Sequence, residues 1–199
     1  VVYLKLAADN DDIQSMVDYG KLLLNKKDNK ESIKYLKKAS DKGDIEATML
    51  YAMLLLSLSN QSEAARLYKQ VADKGNIKAM FMYASIQSTE NNYKEASKYY
   101  KMAADLGDVE SILSYCNLLE EKDNLSESAK YYKILADKGI ENAIVIYAKK
   151  LYYGEGVPVN YEQAAHYIKL AADNGDVEMI NLYGVMNSKG WVLLQVGSW

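Results

Sequence analysis

The chain has 199 residues, 49% of them apolar, with a formal net charge of −3, one Cys, one His and one Pro. That charge excludes a global field for gathering nucleic acid or an anionic membrane. A single Cys excludes an intrachain disulfide and favours a reducing, cytoplasmic setting, and no apolar run of about 18 residues is present to span a bilayer.

Taken from the N-terminus, the chain enters in mid-pattern. It has no Met at Val1, which suggests an excised segment whose targeting sequence, if any, lies elsewhere. A six-residue phrase then recurs. It opens as Ala7-Ala8-Asp9-Asn10-Asp11-Asp12 and closes as Ala171-Ala172-Asp173-Asn174-Gly175-Asp176. Its shared Asp stands at Asp9, Asp41, Asp73, Asp105, Asp137 and Asp173, four steps of 32 residues and one of 36. A period of this size predicts stacked structural repeats.

Each repeat reads as two helices. Helix A follows the phrase, and in the second repeat it runs from about Ile45 to Ser57 behind the N-cap Asp44. Asp12, Asn76, Asp108 and Asp176 are the matching caps, while Ile140 breaks the rule. Helix B starts behind Asp28, Asn60, Asn92, Asn124 and Asn160. Glu31, Glu63, Glu95, Glu127 and Gln163 follow three residues later, the spacing of a capping box. Gly43, Gly75, Gly107, Gly139 and Gly175 supply a left-handed residue after helix B, with Asp11 filling that place in the first copy. One or two residues then separate helices B and A, which makes them antiparallel neighbours. The expected division is a partial helix B over 1–11, repeats over about 12–43, 44–75, 76–107, 108–139 and 140–175, a partial helix A over 176–187, and an atypical tail or cap over 188–199.

Framework columns keep their character from repeat to repeat. Helix A carries Tyr19, Tyr51, Tyr83, Tyr115, Tyr147 and Tyr183, each followed by a small residue: Gly20, Ala52, Ala84, Cys116, Ala148, Gly184. Helix B carries Tyr3, Tyr35, Leu67, Tyr99, Tyr131 and Tyr167, followed by Leu4, Leu36, Tyr68, Tyr100, Tyr132 and Ile168. Small residues let helices approach and tyrosines fill the adjoining space. Lys5, Lys37, Lys69, Lys101, Lys133 and Lys169 stand four residues before each shared Asp, in position to pair with it on a solvated face.

In the last full copy, Tyr147-Ala148, Gly154-Glu155-Gly156-Val157, Gln163-Ala164-Ala165 and Ala171-Ala172-Asp173-Asn174-Gly175 resemble a complete Sel1-like repeat, a relative of the tetratricopeptide repeat. Earlier copies resemble shortened versions without the Gly-x-Gly-Val linker. The resemblance covers about residues 1–187. It implies an all-α fold, an α/α solenoid in which antiparallel helix pairs form a right-handed superhelix, with a concave groove lined by A helices that holds protein partners. Arrays of this kind resemble parts of membrane-protein degradation complexes, signalling adaptors and regions attached to kinases. A secreted branch of the family carries a disulfide in each repeat, and this chain with one Cys departs from it.

No catalytic, cofactor-binding or metal-binding set is evident, and the chain reads as a non-enzyme. His166 shares its column with Lys34, Arg66, Lys98 and Lys130 and should face solvent. Cys116 sits in the small column and reads as a packing thiol. Gly154-Glu155-Gly156 has no strand before it, so it is not a phosphate cradle. The candidate partner-binding residues lie on the A helices: Val17, Met49, Phe81, Leu113 and Val145 two residues before the Tyr column, Lys21, Met53, Ser85, Asn117 and Lys149 two after it, and Tyr152 five after it. Met49, Met53, Phe81 and Leu113 suit an apolar strip for a protein or peptide partner. The column before the Tyr equally suits packing against the next repeat. The leading function is thus an interaction scaffold or adaptor. Two alternatives remain: a structural array whose exposed repeat ends pair with further copies, and a regulatory segment of a larger enzyme such as a kinase.

Overall fold

The computed structural model describes residues 1–190, so the expectation for the tail falls, from Trp191 onward, outside the described residues. The chain divides into two compact units, Val1–Leu106 and Gly107–Trp199. The first holds α1 (Val2–Asp9), α2 (Ile13–Asn25), α3 (Asn29–Asp41), α4 (Ile45–Ser57), α5 (Gln61–Ala72), α6 (Ile77–Thr89) and α7 (Tyr93–Asp105). The second holds α8 (Val109–Glu121), α9 (Leu125–Asp137), α10 (Glu141–Tyr153), α11 (Tyr161–Asp173) and α12 (Val177–Ser188). Within each unit every helix packs on the next, and all regular structure among the described residues is helical.

The boundaries follow from local chemistry. Asp12, Asp44, Asn76, Asp108 and Asp176 accept from the backbone N–H of Ser15, Ala47, Ala79, Ser111 and Met179, and Ile140 gives α10 no such bond. In the expected capping boxes, Asp28, Asn60, Asn124 and Asn160 accept from the third residue on, but the return bond is replaced. The N-cap N–H reaches back to the preceding helix instead, as in Asn60 N to Leu55 O at 2.8 Å. Asn92 makes no side-chain cap; its amide donates to Gln87 Oε1.

The phrase glycines turn left-handed, with Gly43 at φ 91°, and Asp11 does the same at φ 68°. A second left-handed column lies between helices A and B, made of Lys27, Ser59, Asn91 and Asp123 at φ 58–62°. Three or four residues separate most neighbouring helices, slightly more than the one or two expected. The seven-residue connection from α10 to α11 is the longer linker. There Gly156 runs so close to α9 that an added Cβ would overlap the Leu125 carbonyl.

The tyrosine columns meet edge to face. Tyr83 and Tyr99 have ring centroids 4.6 Å apart, and Tyr147 and Tyr167 5.0 Å. The helix B hydroxyls then bond the shared Asp of the preceding repeat: Tyr35 to Asp9 at 2.6 Å, Tyr99 to Asp73 at 2.5 Å and Tyr167 to Asp137 at 2.5 Å. In the helix A column, Tyr83 and Tyr115 donate to the capping-box residues Glu95 and Glu127. The Asp is therefore tied between repeats as well as along its own helix. The Lys pairing forms at Lys5, Lys101, Lys133 and Lys169, whereas Lys69 bonds Glu95 at 3.1 Å. Leu67 stands where Tyr35 and Tyr99 have their rings, so Asp41 receives no tyrosine.

Candidate partner-binding face

In the first unit, α4 and α6 are successive A helices with α5 behind them. Ile45, Glu46, Met49, Leu50, Met53, Tyr68, Asn76, Lys78 and Met82 line a groove of about 560 Å³. Met53 is 47% exposed and Met49 half-buried. Tyr68 forms part of the groove lining although it is only 2% exposed. Among the described residues its hydroxyl has no hydrogen-bond partner, and burial pushes it up to about 12. Methionine walls are soft and adapt to irregular apolar shapes.

The sequence-derived residues do not all meet here. Met49 and Met53 lie in the groove, but Phe81 turns toward α7, its ring 5.8 Å from that of Tyr100. Val17 is 1% exposed and is a packing residue, beyond a partner's reach. Lys21 is held by Glu46 at 2.5 Å, and Ser85 is half-buried. Leu50, Tyr68 and Met82 complete the groove and escaped the column reading. One signal was available: Leu67-Tyr68 inverts the order of Tyr35-Leu36, which moves the large ring into the groove-side column.

The second unit has a different surface. Leu113 and Val145 are half-buried, and Asn117 is exposed. Val145 borders a small cavity of about 200 Å³ with Glu141, Asn142 and Asn174. Lys149 bonds Glu178 on α12 at 2.7 Å. Tyr152 stacks edge-on with Tyr153 and Tyr161 at 4.9 and 5.5 Å, beside the long connection.

Lys150 is 3% exposed and its ammonium bonds Glu120 at 2.6 Å, while Ser128 Oγ donates to the same carboxylate at 2.7 Å. The ammonium also lies 5.4 Å from the centre of the Tyr132 ring. Burial alone would raise the Glu120 carboxyl, but the bonds from Lys150 and Ser128 outweigh it and hold the group below its ordinary range. Cys116 is buried against the Ser128 carbonyl at 3.7 Å, and burial pushes its thiol up to about 12, which suppresses the thiolate. His166 is exposed beside Tyr167. No cluster of three potential metal ligands occurs among the described residues, and no described helix is long and apolar enough to cross a membrane.

Repeated capped helix pairs, tyrosine-tied between repeats, define an α/α repeat protein of the solenoid class. The Sel1 repeat family model matches residues 16–44, 49–76, 77–108 and 143–176, more than half the chain, and the chain belongs to that family. No curated protein matches the sequence. Among solved structures, c5321, a protective antigen of uropathogenic Escherichia coli with an SLR fold, superposes with a TM-score of 0.75 at 20% identity over 94% of this chain. This chain covers 44% of that protein, less than half its length. A Sel1 repeat protein from Oxalobacter formigenes gives 0.62 at 23% identity, covering 90% of this chain and 80% of its own. YrrB, a TPR protein described as having an unusual peptide-binding site, gives 0.60 at 18% identity over 90% of this chain and 95% of its own. At these identities the likeness is one of fold. Repeats of this Sel1 and TPR-like kind generally serve as protein-interaction modules and are typically non-enzymatic.

Proposed function

We propose that the chain is a protein-interaction scaffold that takes a protein or peptide partner on the exposed faces of its A helices. The groove of about 560 Å³ between α4 and α6 carries this reading, because exposed Met and Ile side chains line it together with a few polar groups. Such a groove matches the way helical repeats accept a peptide segment. The peptide-binding site attributed to YrrB supports the same mode. Affinity capture with the wild-type chain and with a Met49→Glu/Met53→Glu variant tests it. A protein recovered by the wild type and lost by the folded variant is the expected result. Equal recovery by both would remove the groove from the binding surface. Phe81 is a poor probe because its ring packs on Tyr100.

A second reading is self-association. Val2, Tyr3 and Leu6 are exposed on α1, and Val177, Ile180 and Val185 on α12. Sedimentation across a wide concentration range separates the readings, since a self-pairing array gains mass with concentration and a monomeric adaptor does not.

A further inference from the structure

Two joints between successive A helices are closed by the same ion pair. Lys21 on α2 meets Glu46 on α4 at 2.5 Å, and Lys149 on α10 meets Glu178 on α12 at 2.7 Å. In both, the Lys stands two residues after the column tyrosine and the Glu five residues before the next one. At the joint of α4 with α6 those two places hold Met53 and Lys78. The pair cannot form there, and Lys78 has no ion-pair partner among the described residues, while Glu46 is already neutralised by Lys21. Both Met53 and Lys78 line the groove.

The other polar groups of the groove carry the same bias. Asn76 spends its Oδ1 capping Ala79 N at 2.9 Å, and its amide N–H groups have no acceptor among the described residues. The Tyr68 side chain is buried, and its hydroxyl has no hydrogen-bond partner among the described residues. Lys78, Asn76 and Tyr68 therefore offer three kinds of donor, and the one acid on the rim is occupied. Donors that the protein leaves unpaired are free to bond a ligand that brings acceptors.

Resting on the reading of this face as an interaction surface, we infer that the groove takes a peptide segment in which a bulky apolar side chain lies close to a carboxylate. The apolar group enters between Met49, Met53 and Met82. The carboxylate meets Lys78, and peptide carbonyls accept from Asn76 and Tyr68. A peptide brings a side-chain carboxylate and backbone carbonyls together, acceptors for the charged Lys78 and for the neutral donors Asn76 and Tyr68 alike. The open pair of Met53 and Lys78 is thus the complement of such a segment: one apolar place and one cationic place where the joints of α2 with α4 and of α10 with α12 are closed by an ion pair.

Panning a displayed library of random peptides on the purified chain tests this, with enriched peptides then measured by fluorescence anisotropy. The expected consensus places Leu, Met or Phe beside Asp or Glu. Lys78→Glu should weaken these peptides about tenfold or more and turn the enriched consensus basic. Tyr68→Phe should weaken them about fivefold with no loss of thermal stability, which separates a ligand contact from a structural one. A consensus without acids, or one unchanged by Lys78→Glu, would overturn the inference. Peptides that bind Met53→Glu as well as wild type would overturn the site and leave the interaction module standing. Absence of any enriched peptide would overturn both. Self-association abolished by Met53→Glu would assign the groove to a second copy, and saturable binding of a fluorescent fatty acid without peptide enrichment would assign it to an amphiphile; either overturns the peptide.

Discussion

Tyr68 and Tyr132 occupy the same helix B position in the two units, yet their surroundings are opposite in character. In the first unit the nearby A-helix places five after and three after the column tyrosine hold Leu56 and Ile86, and the groove beside Tyr68 is open and methionine-lined. In the second unit the same places hold Glu120 and Lys150, which pair at 2.6 Å and set a buried ammonium over Tyr132. One backbone pattern thus gives an open apolar site in one unit and a buried charged lock in the other. Identical frameworks leave side chains at a few columns to decide between binding and closure.

The sharpest way to break this comparison is to remove one charge. Glu120→Leu leaves Lys150 buried without its carboxylate and should cost about 3–5 kcal/mol in denaturant unfolding. Adding Lys150→Ile, which recreates the first unit's Leu56 and Ile86, should recover that loss, because an apolar pair replaces a buried ion pair without penalty. A double variant no better than the single one would show that the two sites are not equivalent.

Acid should attack the same lock. The folded Glu120 carboxyl sits below its ordinary value near 4.5, so its contribution is present above that value and is lost as pH falls through the lower folded one. Melting temperatures from pH 7 to pH 3 should therefore fall further for the wild type than for the apolar double variant. Parallel curves would mean the pair contributes nothing that protonation can remove.

The tyrosine ties give the next effect. Tyr99→Phe removes the hydroxyl bond to Asp73 and should cost about 1.5–3 kcal/mol, the range for a hydrogen bond to a charged group. Tyr68→Phe removes no bond and should leave stability within about 0.5 kcal/mol. Equal costs for the two would contradict the unpartnered state of Tyr68. Smaller again, and of opposite sign, is Ser111→Ala. Its hydroxyl is buried with no partner among the described residues, and Ala47, Ala79 and Ala143 hold that column elsewhere. A gain of about 1 kcal/mol is expected.

Much of the framework was readable from the residues, because caps, small columns and left-handed glycines act locally. The second left-handed column was not, since Lys27, Ser59, Asn91 and Asp123 carry no common residue type that announces φ above zero. The capping boxes misled by half, because the N-cap N–H found a carbonyl one turn back in the preceding helix. The site was only partly legible. A column fixes which residues share a helix face, but a neighbouring ring decides which way Phe81 turns, and Tyr100 draws it from the groove. Lys150 was a missed signal in plain view: a charge in a column otherwise made of Leu22, Leu54, Ile86, Leu118 and Met186.

Methyl NMR of the methionines tests the difference between the units most directly. Met49, Met53 and Met82 line the open groove, whereas Met179 and Met186 are buried in the second unit. On titration with an acidic, leucine-bearing peptide from the selection, the first three methyl signals should move together and saturate while the last two stay fixed. Saturation with Met49, Met53 and Met82 unmoved would contradict the groove as the binding site.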